Sequence, residues 1–270
     1  MNIAELVEPI VALSRKAGDS ILKVYATDFD VQAKDDESPL TQADMASHKV
    51  IEQGLRDLTP DLPIISEESG LPEFEERRQW DRYWLIDPLD GTTNFLHGFP
   101  QFSVSIALKH RGRLDQAVVY DPMRQELFTA SRGSGAFLDN RRIRVSKQNS
   151  LTGALLGTGF PYKDQQHLHA YLEMFKALIV DTAGIRRPGS AALDLAYVAA
   201  GRFDGFWEIG LNAWDMAAGV LLVREAGGLV GDLGGGHDFL QTGNIVAAAP
   251  KLFPLMLREI RPHLSDTLAH

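Results

Sequence analysis

The sequence predicts a mixed fold, in which an α+β first half and an α/β second half join near residue 145. Two observations predict it. Between about residues 102 and 130, apolar residues run or alternate as they do in an antiparallel meander. After residue 145, strand patterns and helix patterns follow one another in alternation. We therefore expect two domains, residues 1–145 and residues 146–270.

Two amphipathic helices are expected to open the first half. Apolar residues between Ile3 and Tyr25 follow helical spacing, and a second helix begins at Thr41 or Asp44 and ends before Pro60. The polar stretch between the two helices is expected to form a loop or a ragged hairpin. Short apolar runs then predict strands at residues 62–65, 83–86, 102–108, 116–120 and 126–130.

The second half is expected to alternate between strands and helices. Its predicted strands are residues 154–158, 205–209 and 245–248. Its predicted helices are residues 166–179, 190–200, 214–226 and 251–264. The glycines between Gly227 and Gly236 are expected to be turn residues.

Charge and composition exclude several classes of protein. Among 270 residues, Lys and Arg total 27 and Asp and Glu total 36, for a net charge of −9 that disfavours nucleic-acid binding as the main function. The absence of cysteine excludes disulfides and thiolate zinc sites. Charged residues interrupt the first twenty positions, and Asp215 and Arg224 interrupt the best candidate for a membrane span. We expect a soluble cytoplasmic protein that does not bind membranes.

One acidic segment carries the first chemical signal. An apolar strand runs into Asp87-Pro88-Leu89-Asp90-Gly91-Thr92-Thr93 and so delivers two aspartates to its carboxyl end. Pro88 stiffens the turn, and a helix starting at Gly91 would point free N–H groups at an anion. The alternative is a simple strand-turn-helix corner in which Asp90 only caps a helix.

Further acids occupy similar positions elsewhere. Glu67 and Glu68 follow a buried strand, and Asp44 and Asp215 lie near helix starts. Taken singly, Glu68 and Asp44 are more often solvated charges. If the acids converge, each close pair costs about 4 kcal/mol at an effective dielectric near 20, which bound cations or raised pKa values would relieve. An all-oxygen ligand set favours Mg²⁺, with Mn²⁺ or Ca²⁺ as lesser options, over Zn²⁺.

Three segments together resemble one family. Glu67-Glu68-Ser69, residues 87–95 and residues 214–219, in this order, resemble the inositol monophosphatase family of lithium-sensitive, magnesium-dependent phosphatases. The resemblance implies a layered α-β-α-β-α sandwich and two or three Mg²⁺ ions, with Mn²⁺ as a substitute. The metal ligands that it implies are Glu67, Asp87, the Leu89 carbonyl, Asp90 and Asp215.

The same resemblance implies catalytic and substrate-binding roles. It makes Asp44, Glu67 and Thr92 the catalytic residues, because Thr92 and Asp44 would orient the attacking water. Backbone N–H groups of Gly91 and Thr92 would cradle the phosphate. The substrate-binding residues that it implies are Asp90, Gly91, Thr92, Gly189, Ser190, Ala191, Glu208 and Asp215.

Arg186 and Glu208 bear on the choice of substrate. The Glu208 carboxylate can accept hydrogen bonds from two neighbouring hydroxyls, which suits a polyol. The alternative is a surface acid at a strand end. Arg186 is a further candidate for the substrate, or for an acidic partner. Residues 33–44 and 82–87 resemble the related 3′(2′),5′-bisphosphate nucleotidases more closely. The chain therefore resembles a mixture of two sister families that share one metal chemistry.

These resemblances leave three functions open. The first is hydrolysis of inositol 1-phosphate, and the second is removal of the 3′-phosphate from 3′-phosphoadenosine 5′-phosphate. The third is a non-catalytic partnership with the transcription machinery, because some bacterial proteins that resemble the second half have that role. The inositol branch also implies a homodimer. Neither Ser66 nor Ser190 has a histidine partner at a recognisable nucleophile elbow, so a serine hydrolase is not supported.

Overall fold

Two β-sheets, a two-stranded ribbon and several helices form the part of the chain that the structure, a computed structural model, describes. That part comprises residues 6–26, 32–33, 39–40, 42–70, 79–161, 165–265 and 267–268. The helices are α1 (Val7–Tyr25), α2 (Gln42–Leu58), α3 (Thr92–Leu96), α4 (Leu168–Ile179), α5 (Ala191–Ala199), α6 (Ala213–Glu225), α7 (Phe239–Thr242) and α8 (Phe253–Ile260). Short 3₁₀ turns cover Glu67–Ser69, Gln165–His167 and Arg261–His263.

The strands divide between the sheets in chain order. The ribbon pairs β1 (Gln32–Ala33) with β2 (Pro39–Leu40). The first sheet contains β3 (Ile64–Ser66), β4 (Arg82–Asp90), β5 (Ser103–His110), β6 (Arg113–Asp121), β7 (Glu126–Ser131), β8 (Gly135–Leu138) and β9 (Arg141–Arg142). The second sheet contains β10 (Leu155–Thr158), β11 (Gly184–Arg186), β12 (Gly205–Glu208), β13 (Leu229–Gly231) and β14 (Ile245–Ala248).

The first sheet follows the order of the sequence. Its strands lie in the order β3-β4-β5-β6-β7-β8-β9, and only the β3–β4 pair is parallel. Side chains alternate between the two faces of a strand. Trp84 and Ile86 therefore pack with α1 and α2, whereas Leu85 packs in a core on the opposite face.

The second sheet has the strand order β11-β10-β12-β14-β13. Strands β11, β10 and β12 are mutually parallel, and β14 runs antiparallel to both of its neighbours. The carboxyl ends of the three parallel strands therefore meet at one edge of the sheet, which is where open α/β sheets place their ligands.

Three apolar cores stack these elements into layers. The first core joins α1 and α2 to the first sheet, the second places α5 and α6 between the two sheets, and the third joins α4 and α8 to the second sheet. This is the α-β-α-β-α sandwich that the family resemblance implies. The middle core takes residues from both sheets, and the division into domains at residue 145 stays a prediction.

Most predicted elements are present, with differences at their ends. Strand β4 runs on to Asp90, because pairing with β5 resumes at Asp90–Ser103 after a shift in register. Helix α4 begins at Leu168 after a 3₁₀ turn. The glycines after Gly227 do not only form turns, because β13 lies among them. Strands β8, β9 and β11 and helix α7 were not predicted. The predictions for Ile3 and Thr41 fall outside the described residues.

Within the described ranges, no helix combines the length and the apolar character that crossing a membrane requires.

Candidate active site

Strand β4 brings Asp87 and Asp90 to the edge where β3 also ends. Because β3 and β4 are parallel, with Ser66 opposite Ile86, the turn that carries Glu67 lies beside the end of β4. The register of β4 against β5 shifts between the two aspartates, and such bulges redirect side chains. Both aspartates are buried.

Two helices add acids to the same place. Asp44 lies in the first turn of α2 and is buried, and Asp215 lies in the first turn of α6. A capping box holds Asp215, whose Oδ2 accepts from the backbone N–H of Asn212 at 2.7 Å. Both side chains therefore start from helix N-termini, where negative charge is favoured.

Burial and mutual charge both act on the pKa values of these acids. Burial raises the pKa of Asp87 well above its usual range, and the charges of Glu67, Asp90, Asp215 and Asp44 raise it further. The pKa of Asp215 is likewise raised well above its usual range, first by burial and then by Glu67 and Asp90. The structure therefore brings the five predicted acids into one electrostatic cluster.

Asp90 also joins the two halves of the chain. Its Oδ2 accepts from the Ser190 hydroxyl at 2.6 Å and from the backbone N–H of Ala192 at 2.8 Å. Asp90 thus caps α5, a helix that begins about one hundred residues later. Burial raises the pKa of Asp90 to about 6, while the hydrogen bond from Ser190 opposes that rise. Ser190 and Ala191, two predicted substrate residues, are buried under this contact.

Thr92 lies between the Leu89 carbonyl and Asp44. Its Oγ1 is 2.9 Å from the Leu89 oxygen and 3.4 Å from Asp44 Oδ2. Gly91, just before it, has φ +94°, and a Cβ there would lie 2.9 Å from the Gln101 carbonyl oxygen. Only glycine fits this conformation and this close backbone approach.

The donor chemistry of the cluster fits a hard divalent cation. Its side-chain donors are carboxylate oxygens, which Mg²⁺ prefers, and their mutual repulsion calls for positive charge. Yet among the described residues no three acidic, histidine or cysteine side chains are already grouped as a metal site. One oxygen each of Asp87, Asp90 and Asp215 is instead engaged by a protein donor. Holding an ion would therefore use their other oxygens or rotate the side chains.

A second polar group lies where the three parallel strands end. Glu208 is the last residue of β12, and its pKa is raised to about 8 by burial and by the Asp90 charge, against the effect of Arg187. The Arg187 guanidinium lies 5.2 Å from the centre of the Phe160 ring. Arg186, which the sequence indicated, is exposed, and its guanidinium donates to the carbonyl of Ile185. The structure thus places Arg187 near Glu208.

Asn94 and His48 link separate parts of the site, and the sequence indicated neither of these links. The Asn94 side-chain amide donates to the carbonyls of Gln101 and Pro188, at 2.8 Å each, and so ties α3 to the loop before α5. His48 Nδ1 lies 3.0 Å from Ser66 Oγ, a contact that the sequence did not indicate. The available signal was spacing, because His48 follows Asp44 by one helical turn.

Comparisons with known proteins agree along the whole chain. The Inositol monophosphatase family matches residues 2–265. Nus factor SuhB of Pseudomonas aeruginosa is 54% identical over 259 residues, covering 94% of this chain and 95% of that protein. Nus factor SuhB of Escherichia coli K12 is 52% identical over 260 residues, covering 96% of each. Each of these natural relatives covers both halves of the chain.

Solved structures give the same result. Extragenic suppressor protein suhB from Bartonella henselae superposes with a TM-score of 0.88 at 41% identity, covering 95% of this chain and 98% of that one. Inositol monophosphatase from Anabaena superposes with a TM-score of 0.85 at 36% identity, covering 97% of each chain.

Proposed function

Because the chain belongs to the inositol monophosphatase family, we propose that it is a magnesium-dependent phosphomonoesterase. The observation that carries this proposal is the placement of five acids around the end of β4, where burial and the charges of four neighbouring acids raise the pKa of Asp87. A binding protein without metals gains nothing from such repulsion. Two or three Mg²⁺ ions, or Mn²⁺ in their place, would offset it.

The proposed ligands come from four segments. Carboxylates of Glu67, Asp87, Asp90 and Asp215 and the carbonyl of Leu89 would hold the ions. When bound, the ions lower the pKa of the attacking water and stabilise the leaving oxygen. This chemistry needs no covalent phosphoenzyme.

The remaining residues would orient the reactants. Thr92 Oγ1 and Asp44 Oδ2 would hold the attacking water and accept its proton, which their separation of 3.4 Å supports. Backbone N–H groups of Gly91 and Thr92 would donate to the phosphoryl oxygens, because no side chain at Gly91 blocks the approach. Water attacks phosphorus in line with the ester bond, the departing oxygen takes up a proton, and the alcohol and inorganic phosphate are released.

Inositol 1-phosphate is the proposed substrate. Glu208 supports it, because cations bound beside Asp90 would favour its ionised form, whose carboxylate can accept hydrogen bonds from two neighbouring hydroxyls of the ring. The influence of the Asp90 charge on the pKa of Glu208 supports that proximity. Gly189, Ser190, Ala191 and Arg186 complete the proposed substrate side.

The first prediction concerns Asp90 as a ligand. Asp90→Asn should keep the fold, because the amide oxygen still accepts from Ser190 and Ala192. Magnesium-dependent phosphate release should fall by at least about 100-fold, because a ligand charge is lost. Phosphate release and thermal unfolding are measured together, with the exposed Asp61→Asn as the control. Normal turnover by Asp90→Asn would exclude Asp90 as a metal ligand.

The second prediction separates two phosphate esters. The likeness of residues 33–44 and 82–87 to bisphosphate nucleotidases favours 3′-phosphoadenosine 5′-phosphate as the alternative substrate. Both compounds and fructose 1,6-bisphosphate are hydrolysed side by side with Mg²⁺, with and without Li⁺. Glu208→Gln should lower kcat/KM for inositol 1-phosphate by about 10-fold, the effect of one lost hydrogen bond to a charged group.

The control for this panel is the same variant acting on the nucleotide. Its kcat/KM should hardly change, because a second phosphate gains nothing from a carboxylate neighbour. Faster hydrolysis of the nucleotide than of inositol 1-phosphate by the unaltered enzyme would contradict the inositol assignment. Lithium inhibition of both reactions would still support the shared metal chemistry.

A second function is favoured by the relatives themselves. Proteins that are 52–54% identical across nearly the whole chain carry the name Nus factor. We propose that this chain also contacts the transcription machinery and forms a homodimer. In an affinity pull-down from bacterial extract, the protein and its Asp90→Asn variant should both retain RNA polymerase. Absence of polymerase from both eluates would leave only the phosphatase proposal.

A further inference from the structure

His48 lies on the face of α2 that also carries Asp44, at the contact between this helix and the turn after β3. It is only 8% exposed, and its two ring nitrogens face different partners. Nδ1 is 3.0 Å from Ser66 Oγ, and Nε2 is 3.3 Å from Glu52 Oε2. Because Ser66 is fully buried, a substrate cannot reach it, and its contact with His48 is structural.

The direction of these hydrogen bonds follows from Glu52. Its pKa is lowered, mainly by a hydrogen bond from Arg56, so it is a carboxylate and can only accept. His48 Nε2 therefore carries the proton that it donates to Glu52. In the neutral ring, Nδ1 then accepts the Ser66 hydroxyl proton.

Ser66 passes this restraint on to the acidic turn. Its Oγ accepts from the backbone N–H of Glu68 at 3.3 Å and caps the 3₁₀ turn Glu67–Ser69. A continuous chain of hydrogen bonds thus runs from the surface of α2 to the turn that presents Glu67. Without His48, the Ser66 hydroxyl would be free to rotate within a buried site.

The same helix face holds the neighbouring acidic segment. The Ser47 hydroxyl donates to the Pro88 carbonyl at 2.7 Å, between Asp87 and Asp90. One face of α2 therefore fixes both turns that carry acids, through two adjacent residues. Their relative position determines whether Glu67 and Asp87 can share an ion.

We propose that His48 is a positioning residue, which holds the Glu67 turn in register with Asp87 through Ser66 and so strengthens divalent-cation binding. This inference rests on the proposed metal site. It assigns to His48 no contact with substrate or metal. Outer partners of metal ligands typically change metal affinity by about 10- to 100-fold when they are replaced.

The test measures Mn²⁺ binding by titration calorimetry without substrate. His48→Leu should bind Mn²⁺ at least about 10-fold more weakly than the unaltered protein. His48→Asn should recover most of the affinity, because its amide places a polar atom where Nδ1 lies. Gln53→Ala, an exposed change on the same helix, should bind as the unaltered protein does. Thermal unfolding in EDTA shows that each variant is folded.

Each outcome decides the inference. Unaltered affinity in His48→Leu, or equal weakening in His48→Leu and His48→Asn, would overturn it. If His48→Leu does not fold, Ser66→Ala takes its place and should weaken binding similarly, while full affinity there would overturn the inference. If the unaltered protein itself binds no Mn²⁺, the proposed function fails as well. If the unaltered protein binds Mn²⁺ but the variants do not behave as expected, only the role of His48 is excluded and the proposed function stands.

Discussion

Repulsion among buried carboxylates is the constraint on which the arrangement of this protein depends. Several acidic side chains meet at the end of β4, where burial and the neighbouring charges raise the pKa values of Asp87 and Asp215 and make their ionisation costly. The chain offsets part of this cost with directed donors. Ser190 and the Ala192 N–H serve Asp90, the Asn212 N–H serves Asp215, and the Leu89 N–H serves Asp87. The contacts that relieve the charge thereby attach α5 and α6 to β4.

The layered fold makes this meeting of acids possible. Helices α5 and α6 lie between the two sheets, where their N-termini reach the acidic end of β4. Their close packing depends on Gly219, where a Cβ would lie 2.4 Å from the Cβ of Leu195. A larger residue there would push α6, and with it Asp215, away from the cluster. The site therefore depends on a small residue in the core as well as on the acids.

The sequence indicated most elements and the acids because both leave local signals, whereas the layered arrangement came from the family resemblance. Apolar periodicity indicated most helices and strands, and the segment Asp87–Thr93 stood out by its own residues. The view of Asp90 as a helix cap was partly right, although the helix that it caps is α5 and not the adjacent α3. Strand β13 was missed because its three residues are too few to show a period.

The missed connections are contacts between residues distant in the chain. His48 meets Ser66 across 18 residues, and Asn94 meets Pro188 across 94. The spacing from Asp44 places His48 on the acidic face of α2, but no local pattern indicates the partner of His48 or of Asn94 before the elements are packed. Arg186 and Arg187 are adjacent arginines, so the sequence does not show which of them lies near Glu208. Strand β11 ends at Arg186, and Arg187, the next residue, is the one whose charge acts on Glu208.

We expect the acids at the end of β4 to hold divalent cations jointly. Anomalous diffraction from crystals soaked in Mn²⁺, recorded at the manganese absorption edge, tests it most directly. We expect strong peaks bounded by Glu67, Asp87, Asp90 and Asp215, with Asp44 and Thr92 beside them. A map with no peak at these carboxylates, from crystals that bind Mn²⁺ elsewhere, would contradict it.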